Sequence, residues 1–416
     1  MDDFYMPSIR VLHFADVHVG MENYGKTDPE SGLSTRVLDF LHRMDEMIDL
    51  AKQREVDLVI FAGDAFKTRN PNPTFQREFA YRILDLSQIA PVVMLIGNHD
   101  LHPTRLKASS IEIYETLRVP NVWVAGEYEG RVIPTKNGDV YVAAAPYPVR
   151  HRLLEMEATA GRTVAQIDEL LQRELGVILD QMAIEADTHG DMPRLLTGHF
   201  TVGGATVGSE RQIMLGRDVA VNLADLADDR WDYVALGHIH KHQNLTHGRE
   251  GMPPVVYSGS IERIDFGEES DAKGCCFVEL SRGGTSWEFV RLNARDFVTV
   301  WADLRESENP TQDAADLIKR HRMRDAIVRM NVHLMQEQES AFNEALIREV
   351  FRQAGVFYLA SIRKEVESPA RSRLGVSPEG LTHAQLLEKY LISRDIPTAR
   401  REQLLTEADK VFGGEG

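Results

Sequence analysis

Val92–Asp100 reads VVMLIGNHD, and the reading of these residues decides the fold. Five consecutive apolar residues, three of them β-branched, predict a buried strand. Gly97 then lets the backbone turn tightly, so that Asn98, His99 and Asp100 are delivered together at the strand tip. In open α/β sheets, binding and catalytic groups gather at the carboxyl ends of strands. Taken alone, the stretch is equally what a polar loop after a core strand looks like. Its weight comes from repetition.

Working outward, the same grammar recurs. Ile9–Ala15 (IRVLHFA) runs into Asp16-Val17-His18, and Asp57–Ala62 (DLVIFA) runs into Gly63-Asp64. Leu195–Thr197 leads to Gly198-His199, Tyr233–Leu236 to Gly237-His238-Ile239-His240, and Val255–Ser258 to Gly259-Ser260. Between the first strands, Val37, Leu38, Leu41, Met44, Ile48 and Ala51 recur at three- and four-residue spacing and predict an amphipathic helix. A second helix is predicted over Thr74–Leu86. Strand–helix–strand–helix–strand with short connections implies a parallel sheet whose helices cover its faces. Further helices are predicted at Ala108–Leu117 and Val164–Ala186, and further strands at Val122–Ala125 and Val140–Ala145.

From Trp287 the pattern changes. Strands are predicted at Trp287–Leu292, Phe297–Trp301, Ala326–His333 and Phe357–Ile362, with helices at Gln312–His321 and Ser340–Gln353. No ligand-type residues cluster at these strand ends, which suits a capping or substrate-positioning α+β module. Glu367–Gly380, with Pro369, Arg371, Arg373 and Pro378, reads as a linker. Two helical patterns follow, Thr382–Tyr390 and Ala399–Phe412, whose Leu386, Leu387, Tyr390, Leu391, Leu404, Leu405 and Val411 form an apolar face. So small a pair either packs back on the body or docks on a partner.

At 416 residues the chain can hold two or three domains, and 43% hydrophobic with 27% charged residues is an ordinary globular composition. No apolar run is long enough for a bilayer, no leader pattern opens the chain, and the two cysteines, Cys275 and Cys276, are adjacent, so the cytoplasm is the expected compartment. A formal charge of −17 argues against a generally basic nucleic-acid binder. Bound divalent cations would reverse that field locally.

The strand-end residues Asp16, His18, Asp64, Asn98, His99, His199, His238 and His240 form a mixed oxygen/nitrogen donor set without cysteine. Such a set suits manganese, iron or zinc and disfavours a structural zinc site. Eight candidates exceed what one ion needs. Two ions, about 3.5–4 Å apart, could clamp a phosphoryl group and activate a water.

DVH at Asp16–His18, GD at Gly63-Asp64, GNHD at Gly97–Asp100, GH at Gly198-His199 and GHIH at Gly237–His240 resemble the calcineurin-like metallophosphoesterases, over roughly residues 8–292. GDAFKTRNP after the second strand, YSGSIERIDFGE at Tyr257–Glu268, and the small domain followed by helices are similar to the SbcD branch, nuclease subunits of double-strand-break repair complexes. The resemblance implies an α/β sandwich of sheets flanked by helices, with a small α+β capping domain and C-terminal helices. Its divisions would be a metallophosphoesterase nuclease domain at 1–285, a capping domain at 286–366, a linker at 367–380 and a partner-binding helical segment at 381–416.

It also implies roles. Asp16, His18 and His240 would hold one manganese ion, Asn98, His199 and His238 a second, and Asp64 would bridge them. His99 would contact the scissile phosphate or protonate the leaving 3′-oxygen, with Asp100 accepting its other ring proton. The partners implied are DNA, an SMC-like ATPase of the SbcC type gripped by the C-terminal helices, and a second copy meeting helices near 75–86 and 108–117. One departure stands out: relatives often carry histidine or aspartate three residues past the bridging aspartate, and here that residue is Lys67. Arg363, Lys364, Arg371 and Arg373 form a basic patch that DNA backbone could meet. The expected activity is 3′–5′ exonuclease and single-strand endonuclease. The alternatives are a phosphoesterase for a small nucleotide or cyclic nucleotide, which the acidic charge suits, and a scaffold with a degenerate metal site, which the intact donor set disfavours.

Overall fold

Each predicted strand–turn unit has a local cause. Ser34 caps helix α1 (Thr35–Gln53) by accepting from the Arg36 amide, and the helix buries Val37, Phe40, Leu41, Met44, Met47, Ile48 and Ala51. Asn72 caps α2 (Pro73–Ile89), whose first residue is the proline that tolerates that position. The parallel strands of this part of the chain are β1 (Ile9–Phe14), β2 (Leu58–Phe61), β3 (Val92–Leu95) and β4 (Val122–Ala125). The computed structural model describes residues 8–102, 107–150, 162–208, 218–367, 382–394 and 396–412, with side chains described as far as 408.

The remaining strands of the first unit are β5 (Glu129–Thr135), β6 (Gly138–Ala145), β7 (Arg194–His199), β8 (Thr201–Val202), β9 (Ala220–Val221), β10 (Tyr233–Gly237), β11 (Gln243–Asn244), β12 (Val255–Tyr257), β13 (Gly274–Leu280) and β14 (Ser286–Arg291). They form two six-stranded sheets, ordered β14-β13-β1-β2-β3-β4 and β11-β12-β10-β7-β6-β5, beside a β8-β9 ribbon. β1 to β4 pair in parallel, as do β6, β7, β10 and β12, with antiparallel strands completing each sheet.

The inner faces of the sheets pack on each other. Val11, Leu58, Ile60, Val93 and Leu95 meet Val142, Leu195, Tyr233, Ala235 and Val256. The outer face of the first sheet carries α1 and α2, and that of the second carries α4 (Val164–Asp187), started by a Thr163–Gln166 capping box. Both faces of every central strand are therefore buried, which is why these strands read as continuous apolar runs. This is the sandwich of sheets flanked by helices that the resemblance implies; the parallel sheet read from the β/α alternation carries helices on its outer face only, its inner face being covered by the second sheet. The segment expected as a helix over Ala108–Leu117 keeps only one helical turn, α3 (Ile113–Thr116). Cys275 and Cys276 are free thiols pointing into different core layers.

The chain divides into two compact units, one of Met1–Val298 with Asp325–Val328, the other of Thr299–Arg324 with Arg329–Gly416. β14 pairs antiparallel with β13, so the first unit extends past the expected limit of 285. In the second, β15 (Phe297–Asp303), β16 (Ile327–Met335) and β17 (Tyr358–Glu367) form a three-stranded sheet in that order. The amphipathic helices α5 (Pro310–Arg320) and α6 (Glu344–Gln353) bury Ala314, Ala315, Ile318, Ile347 and Phe351. The expected linker, apart from Glu367 at the end of β17, lies outside the described residues. After it come α7 (His383–Ser393) and α8 (Thr398–Phe412), with Leu391 buried, Leu386, Leu387, Leu404 and Leu405 half-buried, and Tyr390 exposed. No helix among the described residues is long and apolar enough to cross a membrane.

Candidate metal centre

The carboxyl ends of β1, β2, β3, β7 and β10 lie together, and they bring Asp16, His18, Asp64, Asn98, His99, His199, His238 and His240 into one cluster. The turns that deliver these residues are unusual. Asp16, His18, Asp64 and His238 have φ of 52°, 47°, 63° and 94°. That left-handed region costs a non-glycine residue on the order of 1 kcal/mol, and such strain gathers at functional sites. Gly97 is not among the left-handed residues; its role is spatial, because a Cβ there would overlap the Asp64 carboxylate.

Hydrogen bonding fixes which atoms face the centre. Nδ1 of His199 lies 2.6 Å from the carbonyl oxygen of Ala62, which only accepts, so Nδ1 carries the proton. In the neutral ring Nε2 is then a bare lone pair, 3.1 Å from Oδ1 of Asn98 and 3.4 Å from Oδ2 of Asp64. His238 donates from Nε2 to Oδ2 of Asp218 at 2.8 Å and turns Nδ1 toward the same Asn98 oxygen at 2.9 Å. His240 donates from Nδ1 to Oε1 of Glu268 at 2.8 Å and turns Nε2 toward Nε2 of His18 at 3.0 Å. The ring nitrogens of His199 and His238 that face the Asn98 oxygen set lone pairs against lone pairs in a buried cluster, which calls for a cation, and orientation of imidazoles by outer acceptors is how metal-binding histidines are held. The residues fit divalent metals.

Titration follows the same logic. Burial works to raise Asp64, yet His199, His99 and His18 hold it well below the usual carboxylate range. Burial works to lower His199, yet Asp64 lifts it to about 9. The cluster thus draws positive charge. Burial, reinforced by His99, keeps His18 well below its ordinary value, in the neutral form that binds metals. Asp16 is raised by burial and accepts the His238 amide at 3.0 and 3.1 Å, which ties the ends of β1 and β10 together.

Three donor groups converge closely: Asp16, His18 and His240; Asp64, His199 and His238; and His18, Asp64 and His99. Geometry thus brings His99 within reach of the cluster as well. The expectation that Asp100 orients His99 is corrected. The ring Nδ1 of His99 bonds the carbonyl of Lys67 at 2.8 Å. Asp100 instead accepts the amides of Asp64, Ala65 and Gly97 at 2.9, 3.1 and 3.1 Å and the Ser110 hydroxyl at 3.0 Å. It holds the two ligand-bearing turns in register, and burial and Asp64 push its pKa up to about 6.

Sequence reasoning missed three residues. Asp218 accepts from His238, from the Tyr147 hydroxyl at 2.7 Å and from Thr201 at 3.2 Å. A lone carboxylate in a loop carries no spacing signal. Glu268 closes the quoted YSGSIERIDFGE stretch. Burial works to raise it, but Lys273, 2.8 Å away and fully buried, and His240 hold it far below the usual range. Lys273 also donates to Ser260 at 2.8 Å and to the His240 carbonyl at 3.0 Å.

A two-sheet sandwich with histidines, carboxylates and an amide oxygen gathered at its strand ends is the framework of a metal-dependent phosphoester hydrolase. The sequence model described as Calcineurin-like phosphoesterase matches residues 9–242, more than half of the 416, and the chain belongs to that family. Among curated proteins it is similar to the SbcD subunit of the nuclease SbcCD of Bacillus subtilis (strain 168), 29% identical over 300 residues that cover 70% of this chain and 72% of that one. It is also similar to the SbcD subunit of the same nuclease in Escherichia coli (strain K12), 28% identical over 281 residues covering 66% of each. A dimetal phosphatase from Danio rerio aligns over 68% of this chain and 96% of its own at 11% identity, with a TM-score of 0.39.

Proposed function

We propose that this chain is a metal-dependent DNA nuclease, a 3′–5′ exonuclease and single-strand endonuclease that works in double-strand-break repair with an SMC-like ATPase of the SbcC type. The observation that carries this reading is the inward convergence of the Asp64, Asn98, His18, His199, His238 and His240 donors at the ends of both sheets. Both curated relatives are named as nuclease subunits.

Asp16, His18 and His240 would hold one ion and Asn98, His199 and His238 the other, with Asp64, whose Oδ2 faces both His18 and His199 while Oδ1 accepts the His99 amide, shared between them. Two divalent ions, manganese in this reading, supply Lewis acidity toward the phosphate and lower the pKa of a water. His99 is assigned the scissile phosphate and the leaving 3′-oxygen. The Lys67 carbonyl accepts from its Nδ1 and steadies the ring, which leaves Nε2 as the atom that would meet the substrate and, when the ring is doubly protonated, hand its proton to the leaving oxygen. The Lys67 side chain is assigned a DNA phosphate.

The partners extend the reading. Tyr81, Leu84, Ile113 and Leu117 are exposed at 57%, 43%, 50% and 69%, which supports a homodimer formed through α2 and the 108–117 segment. The α7–α8 pair is assigned to the coiled coil of the ATPase, and the second unit to positioning DNA.

The test is manganese-dependent digestion by the purified chain of linear duplex, single-stranded DNA and bis(p-nitrophenyl) phosphate. Cleavage of DNA that Asp64→Ala abolishes is expected. Hydrolysis of the small ester alone, even with an SbcC-type partner and ATP present, would overturn the nuclease reading in favour of a small-nucleotide phosphoesterase.

A further inference from the structure

The second unit's sheet is covered on one face and open on the other. On β16, Met330, Val332 and Leu334 are buried while Arg329, Asn331 and His333 alternate with them on the open side. On β15, Thr299, Trp301 and Asp303 alternate with buried Val300 and Ala302, and Trp301 is 64% exposed, whereas Trp123 and Trp231 are 7% and 2% exposed. An indole left in water forgoes a large burial gain. It lines a hollow of about 400 Å³ with Arg329, Asn331, His333, Arg363 and Glu365.

The polar groups around it are arranged for an anion. The Nε of Arg329 is held by the Thr299 hydroxyl at 2.9 Å, which orients its guanidinium. Arg363 has no carboxylate within ion-pairing distance among the described residues, while Lys364 lies 4.0 Å from Glu344. Among the described residues lining the hollow the one acid, Glu365, is engaged by His333 at 2.7 Å, and the nearby Asp303 and Glu367 are engaged by Arg305 at 2.7 and 2.9 Å. On a chain of net charge −17, this is a place where cations stand beside an unused aromatic face.

We propose that this open sheet face is a stacking platform for single-stranded nucleic acid, with one unpaired base on Trp301 and the flanking phosphates on Arg329 and Arg363. An acidic protein segment would use the guanidiniums and leave the indole idle. A duplex hides its base faces and could not use the indole either. The platform therefore selects unpaired strands by stacking, with little regard to sequence. The inference rests on the nuclease reading and deepens it by giving the second unit a substrate preference.

The experiment measures binding by the full chain in EDTA, where no cutting occurs, with labelled oligo-dT of about twenty nucleotides, longer than one site. Loss of one stacked base predicts roughly tenfold weaker binding for Trp301→Ala. Trp301→Phe, which keeps a π-face, recovers part of it and loses the quenching of indole fluorescence that oligo-dT causes in the parent chain. Duplex affinity is the same for all three, and poly-glutamate does not compete. Unchanged oligo-dT binding by Trp301→Ala, a parallel fall in duplex binding, or effective competition by poly-glutamate would each overturn the platform. Failure of the nuclease reading shows separately: the parent chain would hydrolyse bis(p-nitrophenyl) phosphate with manganese and leave DNA intact.

Discussion

Nε2 of His18, at the end of β1, lies 3.0 Å from Nε2 of His240, beyond the end of β10, although 222 residues separate them in the chain. The two histidines belong to different sheets, so the centre exists only when the sandwich closes. His199, His238 and His240 come from the second sheet and Asp16, His18, Asp64 and Asn98 from the first, and the rings of His199, His238 and His240 are each aimed by an outer acceptor.

Those outer acceptors differ in what they hold. Asp218→Asn removes the charged partner of His238 in a half-open setting, and metal affinity should fall about 10- to 100-fold with the fold intact. Glu268→Gln strands the buried Lys273 charge as well, so it should also destabilise the chain by about 3–5 kcal/mol. Manganese titration and urea melts on both variants check the contrast; equal stability losses would refute it.

Gly97→Ala places a Cβ against the Asp64 carboxylate. Overpacking of this kind costs about 1–3 kcal/mol, and here the displaced group is the proposed bridge. Thermal melts and metal titration should show a folded protein with metal affinity lowered at least about tenfold. Wild-type affinity would mean that Asp64 is not a ligand.

His99 and Lys67 separate side-chain chemistry from main-chain support. His99→Ala should abolish cleavage while manganese binding stays near wild type. Lys67→Ala keeps the carbonyl that holds His99 and should retain the larger part of the hydrolysis of a small phosphodiester. Release of metal by His99→Ala would make His99 a ligand, a role its closeness to His18 and Asp64 also permits.

His13, buried between the sheets, bonds the Tyr233 hydroxyl at 3.1 Å and the Leu236 carbonyl at 3.2 Å, and burial lowers its pKa to about 3. The unfolded chain regains a value near 6.5, so below that pH unfolding takes up a proton that the fold refuses. Stability is full above pH 6.5 and falls as pH drops toward 3, by about 1.4 kcal/mol per unit. Urea melts should show His13→Gln losing about 2 kcal/mol less than wild type between pH 7 and pH 5. Equal losses would contradict this.

The donors were legible because each follows an apolar run, and burial on both faces writes that run into the sequence. The division into two sheets was not legible from the alternation itself, because a strand buried by a helix and one buried by another sheet look alike. β5, with Pro134 and no fully buried residue, pairs with β6 at an edge and gave no apolar signal. The helix expected at Ala108–Leu117 shrank to one turn because the amide and hydroxyl of Ser110 bond Asp100 instead. Asp218 and Lys273 act through contacts far along the chain, which spacing cannot report.

The most direct test of the account is the number of manganese ions bound per chain, measured by isothermal titration on wild type and Asp64→Ala. Two ions in the wild type, with tight binding lost when the Asp64 carboxylate is removed, is the predicted result. A single ion whose affinity is indifferent to Asp64→Ala would contradict it.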